Sequence, residues 1–339
     1  MTDDSQPRLA AGEAVNRQPP TVKKATPLTP ARRGIQRGKG GQSLNCSNIA
    51  IPFMRIRPDF DIHNEDPAAE DPSQCRLLVE VGYLSMIFVL LNVRGMRPVA
   101  IRVFQWPQVK TDEPETILRG IIEDDPLLSR FLASEIFLIY NFPESNLIPE
   151  KYFTADITRP VTDLIYGDLS QDLVLDEKIP WFEFHNVYRV PAKVHFLMQE
   201  KFPSARFWHF YSLQLKCYKM FTAKEEPAFM KVFFYPEKMC VMVCKNGQLQ
   251  LIQHFAYGDS KDVLYHLLNC CHQLGMIREE LILELSGMVE KKSALYEDLE
   301  LYFLNIRFDS MEDSIKMTDE LMQFPNHFFA SLLKMTICV

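Results

Sequence analysis

Several things are scarce in this chain, and each scarcity removes a class of protein. No apolar run is long enough to span a bilayer: the richest, Leu77–Val93, is broken by Glu80, Gly82 and Ser85 and falls short of the ~20 apolar residues a spanning helix requires. Two buried strands joined by a tight turn account for it. The first residues carry Asp3 and Asp4 with no apolar segment behind them, so no secretory signal is expected. Eight cysteines (Cys46, Cys75, Cys217, Cys240, Cys244, Cys270, Cys271, Cys338) are scattered through 339 residues, which is no disulfide scaffold; reduced thiols in a cytoplasmic protein are expected. Cys240 with Cys244, and Cys270-Cys271 between His266 and His272, lack the spacing of a closed zinc site. His185, His195 and His209 lie near no serine or cysteine in a nucleophile elbow and read as structural.

A net charge of −7 argues against a general polyanion binder. A hydrophobic content of 47% and an aromatic content of 12% are those of a globular protein large enough for two packed lobes. Residues 1–74 differ from the rest. Rich in Pro, Gly, Ser, Gln and charge, they hold too little apolar surface to offset ordering entropy, and disorder is expected over most of them. Within them an acid-free basic segment, 23–39, carries Lys23, Lys24, Arg32, Arg33, Arg37 and Lys39. It is the one place where nucleic acid would find charge, yet no aromatic side chain is interleaved to stack on bases. Ile49–Ile56 reads equally as an edge strand or as part of the tail.

Beyond the tail one supersecondary order occurs twice, around Arg76–Tyr140 and around Phe229–Phe308. In the first copy Arg76–Val81, Ser85–Leu91 and Val99–Trp106 form a strand meander. A helix opened by Asp112 and Glu115 follows, with Ile117, Leu118, Ile121 and Ile122 on one stripe, and then the strand Ile136–Tyr140. Further elements are expected near Asn146–Ile148, Glu150–Tyr166 (helix), Leu173–Leu175, Phe184–Val190, Pro191–Lys201 (helix), Arg206–His209 and Ser212–Met220 (helix). In the second copy Ala228–Tyr235, Met239–Lys245 and Gln248–Tyr257 form the meander, with Asn246-Gly247 as a two-residue hairpin turn. A helix capped by Asp259, the strand Leu281–Leu285, a helix capped by Ser293 and the strand Asn305–Phe308 follow. Three strands, a helix and a strand make the RNase H-like unit. The expected fold is therefore α/β, with duplicated RNase H-like lobes of the actin/hexokinase superfamily: residues 75–220 the first lobe, 221–339 the second, and 1–74 the tail.

In that architecture nucleotide phosphates lie on the turn between the first two strands of each lobe, which needs a carboxylate for the metal shell and a glycine for backbone approach. Glu80-Val81-Gly82-Tyr83-Leu84-Ser85 offers Glu80, Gly82 and Ser85 in the first lobe, although an ordinary one-glycine turn looks the same. The second lobe has Tyr235-Pro236-Glu237-Lys238-Met239, with no glycine and with a proline that removes a donor. Gly287, in Ser286-Gly287-Met288, stands where the adenosine-binding turn falls, or simply ends a strand.

Ile179–Tyr211, with its Val187–Pro191 strand end and Phe202-Pro203-Ser204-Ala205-Arg206-Phe207-Trp208-His209, resembles an uncharacterised Bacteroidetes family of unknown function. So do Gly287 followed by Lys292-Ser293-Ala294-Leu295-Tyr296-Glu297, then Asn305-Ile306-Arg307-Phe308, and Pro325–Phe329. The resemblance runs from about Asp59 to Val339. It implies an actin-like ATPase fold similar to that of PilM and carries no catalytic residue with it. The expected function is a non-catalytic adaptor or assembly factor with an unidentified protein partner. The alternative is an ATPase or small-molecule kinase using Glu80, Gly82, Ser85 and Gly287. No cofactor is expected; magnesium-ATP is the one such a cleft would admit.

Overall fold

In the computed structural model, residues 56–339 are described apart from 64–65, 108–113, 169, 222–225 and 237. The basic segment 23–39, residues 49–55, Asp112 and Glu237 lie outside the described residues. Structure begins earlier than the apolar pattern indicates. β1 (Phe60–His63) pairs antiparallel with the edge of the first sheet. It is anchored by the Phe60 ring, which meets Phe324 and Phe329 edge-on at 5.7 and 5.9 Å. A polar stretch with one aromatic anchor is hard to tell from a tail by composition.

β2 (Cys75–Val81), β3 (Ser85–Asn92) and β4 (Arg97–Gln105) form the antiparallel meander. Helix α1 (Pro114–Asp124) buries Leu118, Ile121 and Ile122, and the short α2 (Pro126–Ser129) follows. β5 (Glu135–Tyr140) then returns parallel to β2.

An inserted three-stranded sheet comes next, built from β6 (Ser145–Pro149), β7 (Asp172–Ile179) and β8 (Phe184–Pro191), with α3 (Thr158–Tyr166) packed against it. The expected helix over 150–166 is shortened to α3, preceded by two single 3₁₀ turns. Pro160 is the reason. Its ring would clash with the carbonyl four residues back, so a helix can hold it only in the first turn. Arg189 of β8 is wholly buried and ties the insertion together, donating to Asp163 Oδ1 at 2.8 Å and to the Gly167 carbonyl at 2.6 Å. Helix α4 (Ala192–Lys201), β9 (Arg206–His209), parallel to β5, and α5 (Phe210–Phe221) finish the first lobe.

The second lobe repeats the plan. β10 (Ala228–Phe234), β11 (Lys238–Lys245) and β12 (Gln248–Ala256) are followed by α6 (Ser260–Gln273), β13 (Ile282–Gly287), α7 (Ala294–Glu300), β14 (Asn305–Phe308) and α8 (Ala330–Cys338). Strand orders are β1-β4-β3-β2-β5-β9 and β12-β11-β10-β13-β14. With β1 set aside, these are one order used twice.

Both sheets are covered on both faces, so their central strands read as unbroken apolar runs. Alternate residues of β3 go opposite ways. Met86, Phe88 and Leu90 pack under α1 and α4, whereas Ile87, Val89 and Leu91 join a core shared with Phe229, Phe233 and Met242 of the second lobe. Helices α5 and α8 fill that shared core and touch one another.

One charge sits deep in it. Asp309 is almost wholly buried; it accepts from Lys231 Nζ and Lys334 Nζ, both at 2.7 Å, and from Ser286 Oγ at 3.0 Å. The two ammonium groups hold its carboxyl below the usual range against the opposing effect of burial. Asp309→Ala leaves two buried lysines without this shared partner and is expected to destabilise the protein by about 3–5 kcal/mol. Urea unfolding measures this, and a loss under 1 kcal/mol contradicts it.

Candidate functional site

The duplication can be aligned atom by atom at the two turns facing the interlobe cleft. In the first lobe Gly82 N donates to Ser85 O at 2.9 Å and Asn141 N to Val81 O at 2.8 Å. In the second, Tyr235 N donates to Lys238 O at 2.9 Å and Met288 N to Phe234 O at 3.0 Å. Strand pairing agrees, with Val81 opposite Tyr140 and Phe234 opposite Gly287. The second-lobe equivalents of Glu80, Gly82 and Ser85 are therefore Phe233, Tyr235 and Lys238. Both the carboxylate and the glycine positions of the second turn hold aromatic side chains.

Glu80 lies on the face of β2 that looks into the shared core and is 2% exposed. Its Oε1 accepts from Asn141 Nδ2 at 2.6 Å and from Tyr235 Oη at 2.8 Å. Burial raises the Glu80 pKa, opposed by these two bonds and by the nearby Lys238 charge. Tyr235 thus reaches from the second lobe across to the first-lobe carboxylate. Its own carbonyl accepts from the Tyr257 hydroxyl, which fixes the turn.

Lys238 crosses the same way. Its Nζ donates to Asn141 O at 2.9 Å and to Asn141 Oδ1 at 3.3 Å, and burial lowers its pKa from the ordinary 10.5 to about 8. A Cβ placed on Gly82 would lie 3.3 Å from Ser85 Oγ, 3.4 Å from Asn141 O and 3.4 Å from Lys238 Nζ. Gly82 is therefore the floor on which a hydroxyl, a carbonyl and an ammonium converge.

Gly287 has a different part. Its φ is +81°, and a Cβ there would fall 2.3 Å from Phe234 O, so the residue is set by the close approach of β13 to β10. With Glu80 it borders only a narrow void of about 40 Å³. Ser85 and Lys238, which meet over Gly82, also line a cavity of about 450 Å³ together with Tyr83, Leu84, Gln105, Trp106, Pro143 and Pro236 among others. The structure brings Glu80, Gly82 and Ser85 together as the sequence pattern anticipates and leaves Gly287 at the edge.

Asn141, Tyr235, Lys238 and Trp106 are the site residues that sequence reasoning missed. Asn141 had one signal, its place directly after a buried strand; Lys238 lies in the turn Tyr235-Pro236-Glu237-Lys238-Met239, whose visible features are the missing glycine and the proline. The histidines are occupied elsewhere. His195 Nδ1 shares a 2.8 Å hydrogen bond with the Tyr140 hydroxyl, His209 Nε2 lies 3.0 Å from Phe142 O, and His185 stacks on Phe153. Among the described residues, no three His, Cys, Asp or Glu side chains are grouped to hold a metal, and no helix is long and apolar enough to cross a membrane.

Two expectations follow. Gly287→Ala places a methyl group against the Phe234 carbonyl at a positive φ and is expected to destabilise the protein by at least ~1–3 kcal/mol, read from the urea midpoint. The second concerns pH. Between about 8 and 10.5 the unfolded chain keeps the Lys238 proton that the folded chain has released, so raising the pH favours folding through this group. Wild type is expected to gain stability relative to Lys238→Met across that window; paired denaturation curves that stay parallel in pH contradict the assignment.

Comparison with known proteins agrees with the architecture. A Bacteroides thetaiotaomicron protein with an actin-like ATPase fold and unknown function matches at a TM-score of 0.62 with 15% identity, covering 77% of this chain and 96% of that one. A chain of the PilM–PilN type IV pilus biogenesis complex matches at 0.53 with 11% identity, covering 78% and 98%. Likeness at these identities establishes the fold, which is that of the actin-like ATPases. No curated protein matches the chain. The family described as "Protein of unknown function (DUF3822)" matches residues 65–306, well over half the chain, and the chain belongs to that family.

Proposed function

We propose that this protein is a non-catalytic member of the actin-like ATPase fold that works by binding a protein partner, as an adaptor or assembly factor. The observation that carries the reading is the pair of contacts from the second lobe onto the first-lobe turn, Tyr235 Oη to Glu80 and Lys238 Nζ to Asn141. A magnesium nucleotide would need the Glu80 carboxylate facing water-bound metal and backbone N–H groups facing phosphates. Here the carboxylate is buried and already hydrogen-bonded, and the ammonium of Lys238 stands beside Gly82 as an internal cation. The second turn supplies Phe233 and Tyr235 at the positions equivalent to carboxylate and glycine. These residues do not fit magnesium-ATP, and Gly287, packed against Phe234, borders a narrow void of about 40 Å³.

Partner binding draws support from the likeness to a chain of the PilM–PilN complex, in which the fold serves an assembly. Expected outcomes are no rise in melting temperature with millimolar magnesium-ATP and no phosphate release. Ligand binding to the native state alone must stabilise it, by about 2.7 kcal/mol at a hundredfold excess over Kd. A nucleotide-dependent rise that Glu80→Ala abolishes would sink the proposal.

A further inference from the structure

The interlobe cavity keeps a defined chemistry. Its walls are the side chains of Tyr83, Leu84, Trp106, Pro107, Pro143 and Pro236, all apolar or aromatic in the faces they can offer. At about 450 Å³ it falls in the range of small-molecule sites, about 300–1,000 Å³. The Trp106 indole N–H is already given to the Tyr83 carbonyl at 3.1 Å, so that wall presents ring surface and no donor. The rest of the lining is Ala256 and four polar side chains: Gln105, whose amide donates to Met288 Sδ at 3.5 Å, Tyr235, whose hydroxyl is given to Glu80, and Ser85 and Lys238, which meet over Gly82. There the Lys238 ammonium spends its hydrogen bonds on the two Asn141 oxygens, and among the described residues it has no carboxylate within ion-pair distance. An ammonium has three N–H donors, so one remains beside Ser85 Oγ, both atoms lying within 3.4 Å of the point above Gly82.

A single cation with a hydroxyl beside it, at the bottom of an apolar cavity, matches one negative charge on an apolar body. A triphosphate brings several charges and needs many more donors. We propose that the cleft binds a small apolar monocarboxylate, aryl or branched alkyl, with its carboxylate on Lys238 Nζ and Ser85 Oγ and its body between Trp106, Tyr83 and Pro236. This rests on the reading of the cleft as closed to magnesium nucleotide. It adds a small-molecule effector to a partner-binding protein, held at the seam where both lobes contribute.

The test is calorimetric titration of the full chain with 1-naphthylacetate and 4-phenylbutyrate, each against its own neutral primary amide, up to 10 mM. At least one acid is expected to bind saturably and at least tenfold more tightly than its amide. Lys238→Met should abolish that preference, Lys238→Arg should keep it, and the exposed Pro107→Glu at the mouth should weaken the acid more than the amide. Pro107 is on the surface, so that variant reports on the site even if the Lys238 variants fold poorly. Equal binding of acid and amide, a preference that survives Lys238→Met, or no saturable binding by either acid overturns the proposal. Failure of the functional reading registers separately, as a melting temperature that rises with magnesium-ATP.

Discussion

The structure depends on one burial problem solved once for both lobes. Each central sheet is apolar on both faces, and the faces turned towards one another share a core filled by α5 and α8. A buried Leu or Phe side chain contributes about 1.5–3 kcal/mol relative to exposure, so a seam containing Phe210, Leu213, Phe229, Phe233 and Leu333 holds the lobes far more firmly than any single polar contact. The polar contacts instead fix register. Asp309 with Lys231 and Lys334, and Glu80 with Asn141 and Tyr235, each require particular residues from distant parts of the chain to meet at hydrogen-bond distance.

That division explains the site. In an actin-like fold the two turns face each other across the cleft, and what they carry decides whether the gap holds a ligand's charges or the protein's own. Here Tyr235 and Lys238 reach across it. Glu80 is then a buried acceptor, and Lys238 a cation held by carbonyl oxygens, with its proton affinity reduced by burial. The space left is walled by rings and prolines.

Much of this was legible in the chain. Apolar runs and the turn residues between them placed the strands of both meanders within a residue or two, because a strand buried on two faces has few alternatives. Asp259 and Ser293 cap α6 and α7 as their side chains allow, accepting from Lys261 N and Asp262 N, and from Tyr296 N. The glycine of the first turn was equally visible. The helix expected over 150–166 is cut back to α3 by Pro160, and β1 lies in a polar stretch whose aromatic anchor, Phe60 on Phe324 and Phe329, spans more than 260 residues of sequence.

Local pattern by itself determined the duplicated strand-helix order, hence the fold, and the absence of a second glycine turn. It did so because hydrophobic periodicity and turn chemistry are properties of neighbours in sequence. The tertiary structure alone decided that Phe233 is the counterpart of Glu80 in the internal symmetry. It also decided that Tyr235 and Lys238 complete the first-lobe turn, and that Gly287 answers to Phe234. Those are distances between residues 97 to 155 positions apart, or between strands whose register no single strand can specify.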